Sequence, residues 1–135
     1  MKKIIEQEKQ ILFVDDEEIN LELFKLSFSG TFNIFTANSA RVGLEILRVN
    51  DIPIIITDYN MPEMNGLKFI EEIKQSSPDR VCIIVSGFTD NISRKNKDLV
   101  FGLIQKPWKK NQIHNLIKSG FENYYQQSNQ LITTD

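Results

Sequence analysis

The sequence predicts an α/β domain: a five-stranded parallel sheet with helices on both faces. Three observations predict it. Short apolar runs alternate with longer amphipathic ones five times along 135 residues, and such alternation implies parallel strands joined by right-handed crossovers. Residues 11–14, 54–56 and 81–85 are apolar throughout, the pattern of strands buried on both faces. The length suits one domain whose core needs neither disulfides nor a structural metal.

Residues 11–14 form the first strand. A helix follows over 17–28, with Ile19, Leu23, Leu26, Phe24 and Phe28 at helical spacing, and Gly30 ends it. Residues 32–37 form a second strand of mixed polarity, as an edge strand would be. Ser39 caps a helix reaching residue 49, with Val42, Ile46 and Val49 on one face. Residues 52–57 are the strongest strand, with Pro53 at its start, where proline is tolerated. After Gly66 comes a helix over 67–75 with Leu67, Ile70 and Ile73 inward. The next strand, 81–85, contains the only cysteine, Cys82. A short polar helix over 92–100 and a strand over 103–105, ended by Pro107, follow. A last helix carries Ile113, Leu116, Ile117, Phe121 and Tyr124. The organisation expected is a polar N-terminal segment (1–9), one domain (10–125) and a loose polar tail (126–135).

Composition excludes several classes. The net charge of −2 leaves no broad basic face for nucleic acid or a membrane surface. No apolar stretch approaches the ~20 residues of a membrane span. Glu6, Gln7 and Glu8 interrupt the start of the chain before any hydrophobic region of a secretion signal can form. A single cysteine rules out an intramolecular disulfide and fits a reducing cytoplasm, and Cys82 reads as a small buried hydrophobe.

In such folds chemistry collects at the carboxyl ends of the strands, near the point where strand order reverses. Strand one is followed by Asp15-Asp16, strand three by Asp58, strand four by Ser86 and strand five by Lys106, whereas strand two is followed by nothing comparable. With the strand order 2-1-3-4-5, Asp58 is central, the acid pair and Ser86 flank it, and Lys106 lies two strands away, ~9–10 Å at the usual strand spacing. Two carboxylates about 4 Å apart repel by ~4 kcal/mol at an effective dielectric of 20, so a proton or a cation must neutralise the cluster. Hard carboxylate oxygens suit Mg²⁺, with Mn²⁺ as the alternative. Lys106 adds a positive charge and Ser86 a hydroxyl donor. An aspartate nucleophile, a divalent metal, a cation and a hydroxyl are the parts of phosphoryl transfer to a carboxylate.

These residues resemble those of bacterial two-component response-regulator receiver domains, whose fold is flavodoxin-like. The match runs through Asp15-Asp16, the stretch 58–66 (DYNMPEMNG), Ser86-Gly87 and Lys106-Pro107-Trp108. The resemblance implies that Asp58 is the phosphoacceptor, forming an aspartyl phosphate. It implies that Asp16, Asp58 and the backbone carbonyl of Asn60 ligate Mg²⁺, with Asp15 acting mainly through metal-bound water. Ser86 and Lys106 would hold the phosphoryl oxygens, and Lys106-Pro107 would be cis, a geometry expected only before proline. The implied partners are a histidine kinase or phosphotransfer protein as donor, and a downstream protein or fused output domain as target. The chain would be a cytoplasmic monomer or weak homodimer that binds no nucleic acid and no membrane directly. It would be no enzyme beyond self-catalysed acceptance and slow autodephosphorylation. One departure stands out: the family often has Tyr or Phe three residues before the lysine, and here that residue is Leu103.

Alternatives separate on single features. A phosphatase using an aspartyl phosphate needs a second carboxylate two residues after the nucleophile, where this chain has Asn60. A flavin-binding domain needs a phosphate loop after strand one, where Asp15-Asp16 would repel phosphate. A receiver that no longer takes phosphate and serves only as an interaction module stays as the alternative, with the complete set of phosphorylation residues weighing against it. The chain reads as a single-domain regulator acting by protein contact or as the receiver piece of a longer protein, and Lys106-Pro107-Trp108, which resembles receivers attached to signalling enzymes, is a hint toward the second.

Overall fold

A computed structural model describes residues 9–87 and 98–133, with side chains through Gln127. The elements are β1 (Gln10–Val14), α1 (Glu18–Phe28), β2 (Asn33–Ala37), α2 (Ala40–Val49), β3 (Ile54–Asp58), α3 (Gly66–Ser76), β4 (Val81–Ser86), β5 (Gly102–Gln105) and α4 (Lys110–Thr133). All strand pairs are parallel, in the order β2-β1-β3-β4-β5. The apolar strands β3 and β4 are buried along their whole length, whereas β2 and β5, of mixed polarity, lie at the edges. The fold class and strand order are those the sequence predicts.

Because side chains alternate across a strand, the inner strands β1, β3 and β4 each feed two cores. Ile11, Phe13, Ile54, Ile56, Val81, Ile83 and Val85 face one side, covered by Leu21, Phe24 and Phe28 of α1 and by Ile113, Ile117 and Phe121 of α4. Leu12, Val14, Ile55, Cys82 and Ile84 face the other, under Leu47 of α2 and Leu67, Phe69, Ile70 and Ile73 of α3. Cys82 is fully buried, and burial pushes its thiol up to about 12, so it behaves as the expected inert hydrophobe.

Two helix faces differ from expectation. In α1 the inward residues are Leu21, Phe24 and Phe28, while Ile19, Leu23 and Leu26 are 68%, 51% and 82% exposed. Both sets fit helical spacing. The aromatic set wins because Phe24 stacks on Phe13 of β1 with ring centroids 4.1 Å apart, and Phe28 packs against Phe24. In α2 the buried line is Ala40, Gly43 and Leu47, with Val42 and Ile46 at its flank and Val49 80% exposed. Small residues face inward there because α3 comes close: a Cβ on Gly43 would stand 2.9 Å from Phe69 Cζ. The Ser39 cap forms as expected, its Oγ accepting from Val42 N–H at 3.1 Å, and the inward face of α3 is also as expected.

The helix expected over 92–100 falls largely outside the described residues; of it, Asp98 and Leu99 form a 3₁₀ turn. At the other end, α4 does not stop near Tyr125 but continues to Thr133, through most of the stretch expected to be a loose tail. No glycine or proline interrupts residues 126–133. Among the described residues no helix is long and apolar enough to cross a membrane.

Candidate functional site

Strand register brings the predicted residues together. Val14 pairs with Thr57, so Asp15 follows beside Asp58, and Asp58 itself pairs with Val85, the residue before Ser86. Ser86 pairs with Gln105, the residue before Lys106. Backbone hydrogen bonds carry the pairing past the strand ends: Asp15 N–H donates to Ala37 O at 3.1 Å, Tyr59 N–H to Val85 O at 2.9 Å and Lys106 N–H to Ser86 O at 2.8 Å. The four strand ends are therefore held as one rigid rim.

Asp15, Asp58 and Ser86 are buried polar residues, at 2%, 4% and 6% exposure, and Asp16 is exposed. One carboxylate oxygen from each of Asp15, Asp16 and Asp58 lies within 4.8 Å of the others, the one such group of potential metal ligands found among the described residues. Lys106 Nζ stands 3.0 Å from Asp58 Oδ1. The ammonium is the charged partner of this buried oxygen, which has no other partner among the described residues. A carboxylate oxygen with one partner keeps a lone pair for a further ligand. Three hard carboxylates so gathered fit a small divalent cation such as Mg²⁺.

Electrostatics agree with the crowding. Burial raises the Asp58 pKa above its ordinary value; Lys106 opposes the rise, and the Asp15 and Asp16 charges add to it. Burial likewise raises Asp15, against the Glu17 backbone N–H, Lys106 and Asn20, with Asp16 adding to the rise. For Lys106, burial works to lower the ammonium, but Asp58, Asp15 and Glu17 outweigh it and hold the pKa above the usual lysine range. Lys106 stays charged beside the acids.

The loop after β3 is shaped by its own chemistry. Gly66 N–H donates to Tyr59 O at 2.7 Å, and a Cβ on Gly66 would collide with the Asp58 carbonyl oxygen. Asn65 caps α3, its Oδ1 accepting from Lys68 N–H at 2.9 Å. Glu63 is left-handed at φ 69°, a conformation that costs a residue with a Cβ about 1–2 kcal/mol. Asn60 is exposed, two residues past Asp58. The Lys106-Pro107 bond is cis, as the resemblance implied.

Three side chains near these elements carry roles that the sequence reading missed. Asn20 Nδ2 donates to Asp15 Oδ2 at 3.1 Å, and the only signal was an amide early in the helix that follows the acid pair. The Thr57 hydroxyl donates to the Asp58 carbonyl oxygen at 3.0 Å. The guanidinium of Arg80 donates to the carbonyls of Leu47, Asn50 and Ile52 and to Ser77 Oγ. Arg80 lines a hollow of about 770 Å³ beside α2 and α3, which opens near the amino ends of β3 and β4, away from Asp58. That hollow is part of a structural tie. The hollow beside the acids is a groove of about 590 Å³ between Leu23 and Ser27 of α1 and Pro107-Trp108, reaching Asp15 and Lys106.

Leu103 is 55% exposed. Phe101 does not replace the missing aromatic. It precedes β5 and lies beside the amino end of β4, its N–H donating to Cys82 O, and its ring lies near Gly120. Four residues of strand, ~13 Å at the usual rise, separate that level from Ser86.

The sequence profile of the response regulator receiver domain matches residues 11–118. The chain belongs to that family. Its curated relatives include the hydrogenase transcriptional regulatory protein HoxA of Cupriavidus necator, 26% identical over 87% of this receiver domain and 25% of the relative. The sensor kinase CckA of Brucella abortus is 28% identical over 83% and 12%. This receiver domain thus spans a quarter or less of the length of either protein. Among solved structures it resembles a response regulator receiver domain protein of Clostridium thermocellum, with TM-score 0.83 and 28% identity over 87% of this chain and 98% of that one. It also resembles an adenylate cyclase of Rhodopirellula baltica, with TM-score 0.85 and 26% identity over 94% and 98%.

Proposed function

We propose that this receiver domain accepts a phosphoryl group on Asp58 from a phosphohistidine of a histidine kinase or phosphotransfer protein, in a Mg²⁺-dependent reaction. The observation that carries the reading is the buried Asp58 carboxylate at the end of the central strand, with Lys106 Nζ 3.0 Å away and two further carboxylates around it. An Asp58 carboxylate oxygen attacks phosphorus, the P–O bond forms as the P–N bond breaks, and the imidazole departs with the bonding pair. Lys106 and Ser86 hold the phosphoryl oxygens, the first as a cation and the second as a hydroxyl donor.

Asp16, Asp58 and the Asn60 carbonyl would hold the metal, which when bound supplies positive charge against the carboxylates and the incoming phosphoryl group. Asp15 would reach it mainly through water. Both its oxygens already accept hydrogen bonds, from Glu17 N–H at 2.9 Å and from Asn20. Donor docking is supported by the groove beside the acids, where Leu23 and Trp108 offer apolar contact. Transfer and slow autodephosphorylation are the domain's own catalysis. Output lies in a downstream protein or a fused domain, which the short share of its relatives' length supports.

Acetyl phosphate with Mg²⁺ should add one phosphoryl group, located at Asp58 by mass spectrometry of peptides. Asp58→Asn should add none. Equal labelling of both proteins would overturn the assignment.

A further inference from the structure

The three carboxylates differ in how the protein holds them. Asp15 is 2% exposed and has a protein donor on each oxygen: Glu17 N–H on Oδ1 at 2.9 Å and Asn20 Nδ2 on Oδ2 at 3.1 Å. The first bond is a local Asx turn that takes the place of a helix cap, since Glu17 makes no side-chain cap bond to α1. The second reaches from inside α1 back to the strand end. An ionised carboxylate only accepts, so the amide nitrogen is the atom that faces it. With both bonds made, the Asp15 group cannot turn about its own axis without losing one of them. Asn20 also lines the groove that Asp15 and Lys106 share.

We propose that Asn20 is a positioning residue of the acceptor site, fixing the Asp15 carboxylate so that it meets a bound divalent cation in one orientation, through water. This rests on the metal-dependent acceptor reading above and deepens it. Each Asp15 oxygen keeps a lone pair after accepting its bond, enough to take a hydrogen bond from a metal-bound water. Without Asn20 the carboxylate loses the donor that holds one oxygen and is free to rotate. Groups that orient a metal's surroundings in this way typically contribute about 10- to 100-fold in affinity.

The test reads free Mn²⁺ by its paramagnetic resonance during titration of the whole chain as wild type, Asn20→Ala, Asp15→Asn and the double variant. Asn20→Ala should weaken Mn²⁺ binding by about tenfold, with the metal-free protein still folded at the titration temperature. In the Asp15→Asn background the same substitution should add less than twofold, because the residue it acts through is already altered. Asn20→Leu, which keeps the volume and removes the donor, should repeat the result if Asn20→Ala fails to fold. Equal affinities of wild type and Asn20→Ala, or the same loss in both backgrounds, would each overturn the role of Asn20. Failure of the wild type itself to bind Mn²⁺ would instead remove the acceptor-site reading, and this inference with it.

Discussion

Asp58 and Asp15 are buried carboxylates whose folded-state pKa values are raised, with burial the largest cause in both. The sign of the consequence follows from linkage. Between the unfolded value, 3.8, and the raised folded values, the folded chain binds more protons than the unfolded one, so stability falls as pH rises through that window. Above that window the fold carries the full cost of the charged cluster. Asp58→Asn removes one buried charge and keeps the shape, while Lys106, whose side chain is 36% exposed, can turn to water. With a chelator present, Asp58→Asn should therefore melt several degrees above wild type at pH 7, the scale on which ~1 kcal/mol moves a domain of this size. The gap should shrink as pH falls toward the ordinary carboxylate range, where the wild-type acids take up protons. Melting curves of both proteins across pH check this, and a gap that widens on acidification would contradict the account.

At the scale of elements, α1 shows how an amphipathic helix chooses its face. Phe24 is fully buried and stacked on Phe13, whereas Leu26, two residues on, is 82% exposed. Phe24→Ala should cost about 3–5 kcal/mol and Leu26→Ala no more than ~0.5 kcal/mol, both read from urea unfolding. Equal losses would mean that both stripes are buried. The sequence could not make this choice, since residues 19, 23 and 26 and residues 21, 24 and 28 both satisfy a helical period, and the partner ring on β1 decides between them. The strands were legible because continuous apolar runs have one use in an alternating fold. The rim of Asp15, Asp58, Ser86 and Lys106 was legible because each residue directly follows such a run, so that strand register alone gathers them. Asn20 and Arg80 were not legible. Their bonds to Asp15 and to the carbonyls of Leu47, Asn50 and Ile52 depend on how helices and loops sit against strand ends, which no local pattern encodes.

On the scale of the molecule, the sheet spends stability on one rim: three carboxylates crowd there, with Lys106 the cation that contacts Asp58. A divalent cation that binds only the folded rim must return stability by mass action, about 2.7 kcal/mol when free metal reaches a hundred times its Kd. Mg²⁺ at that level should raise the melting temperature by several degrees, and a chelator should reverse it. Trp108, the only tryptophan, should report the same event. It packs 6.0 Å from both Phe24 and Phe28 and lines the groove shared with Asp15 and Lys106, so a change in the charge around Lys106 reaches its surroundings. Fluorescence should then saturate around the metal concentration at which the melting temperature begins to climb, and Asp58→Asn should weaken both together. A melting temperature that rises while Trp108 stays silent would separate the groove from the rim. A melting temperature indifferent to Mg²⁺ would mean that Lys106 and protons neutralise the cluster without a metal.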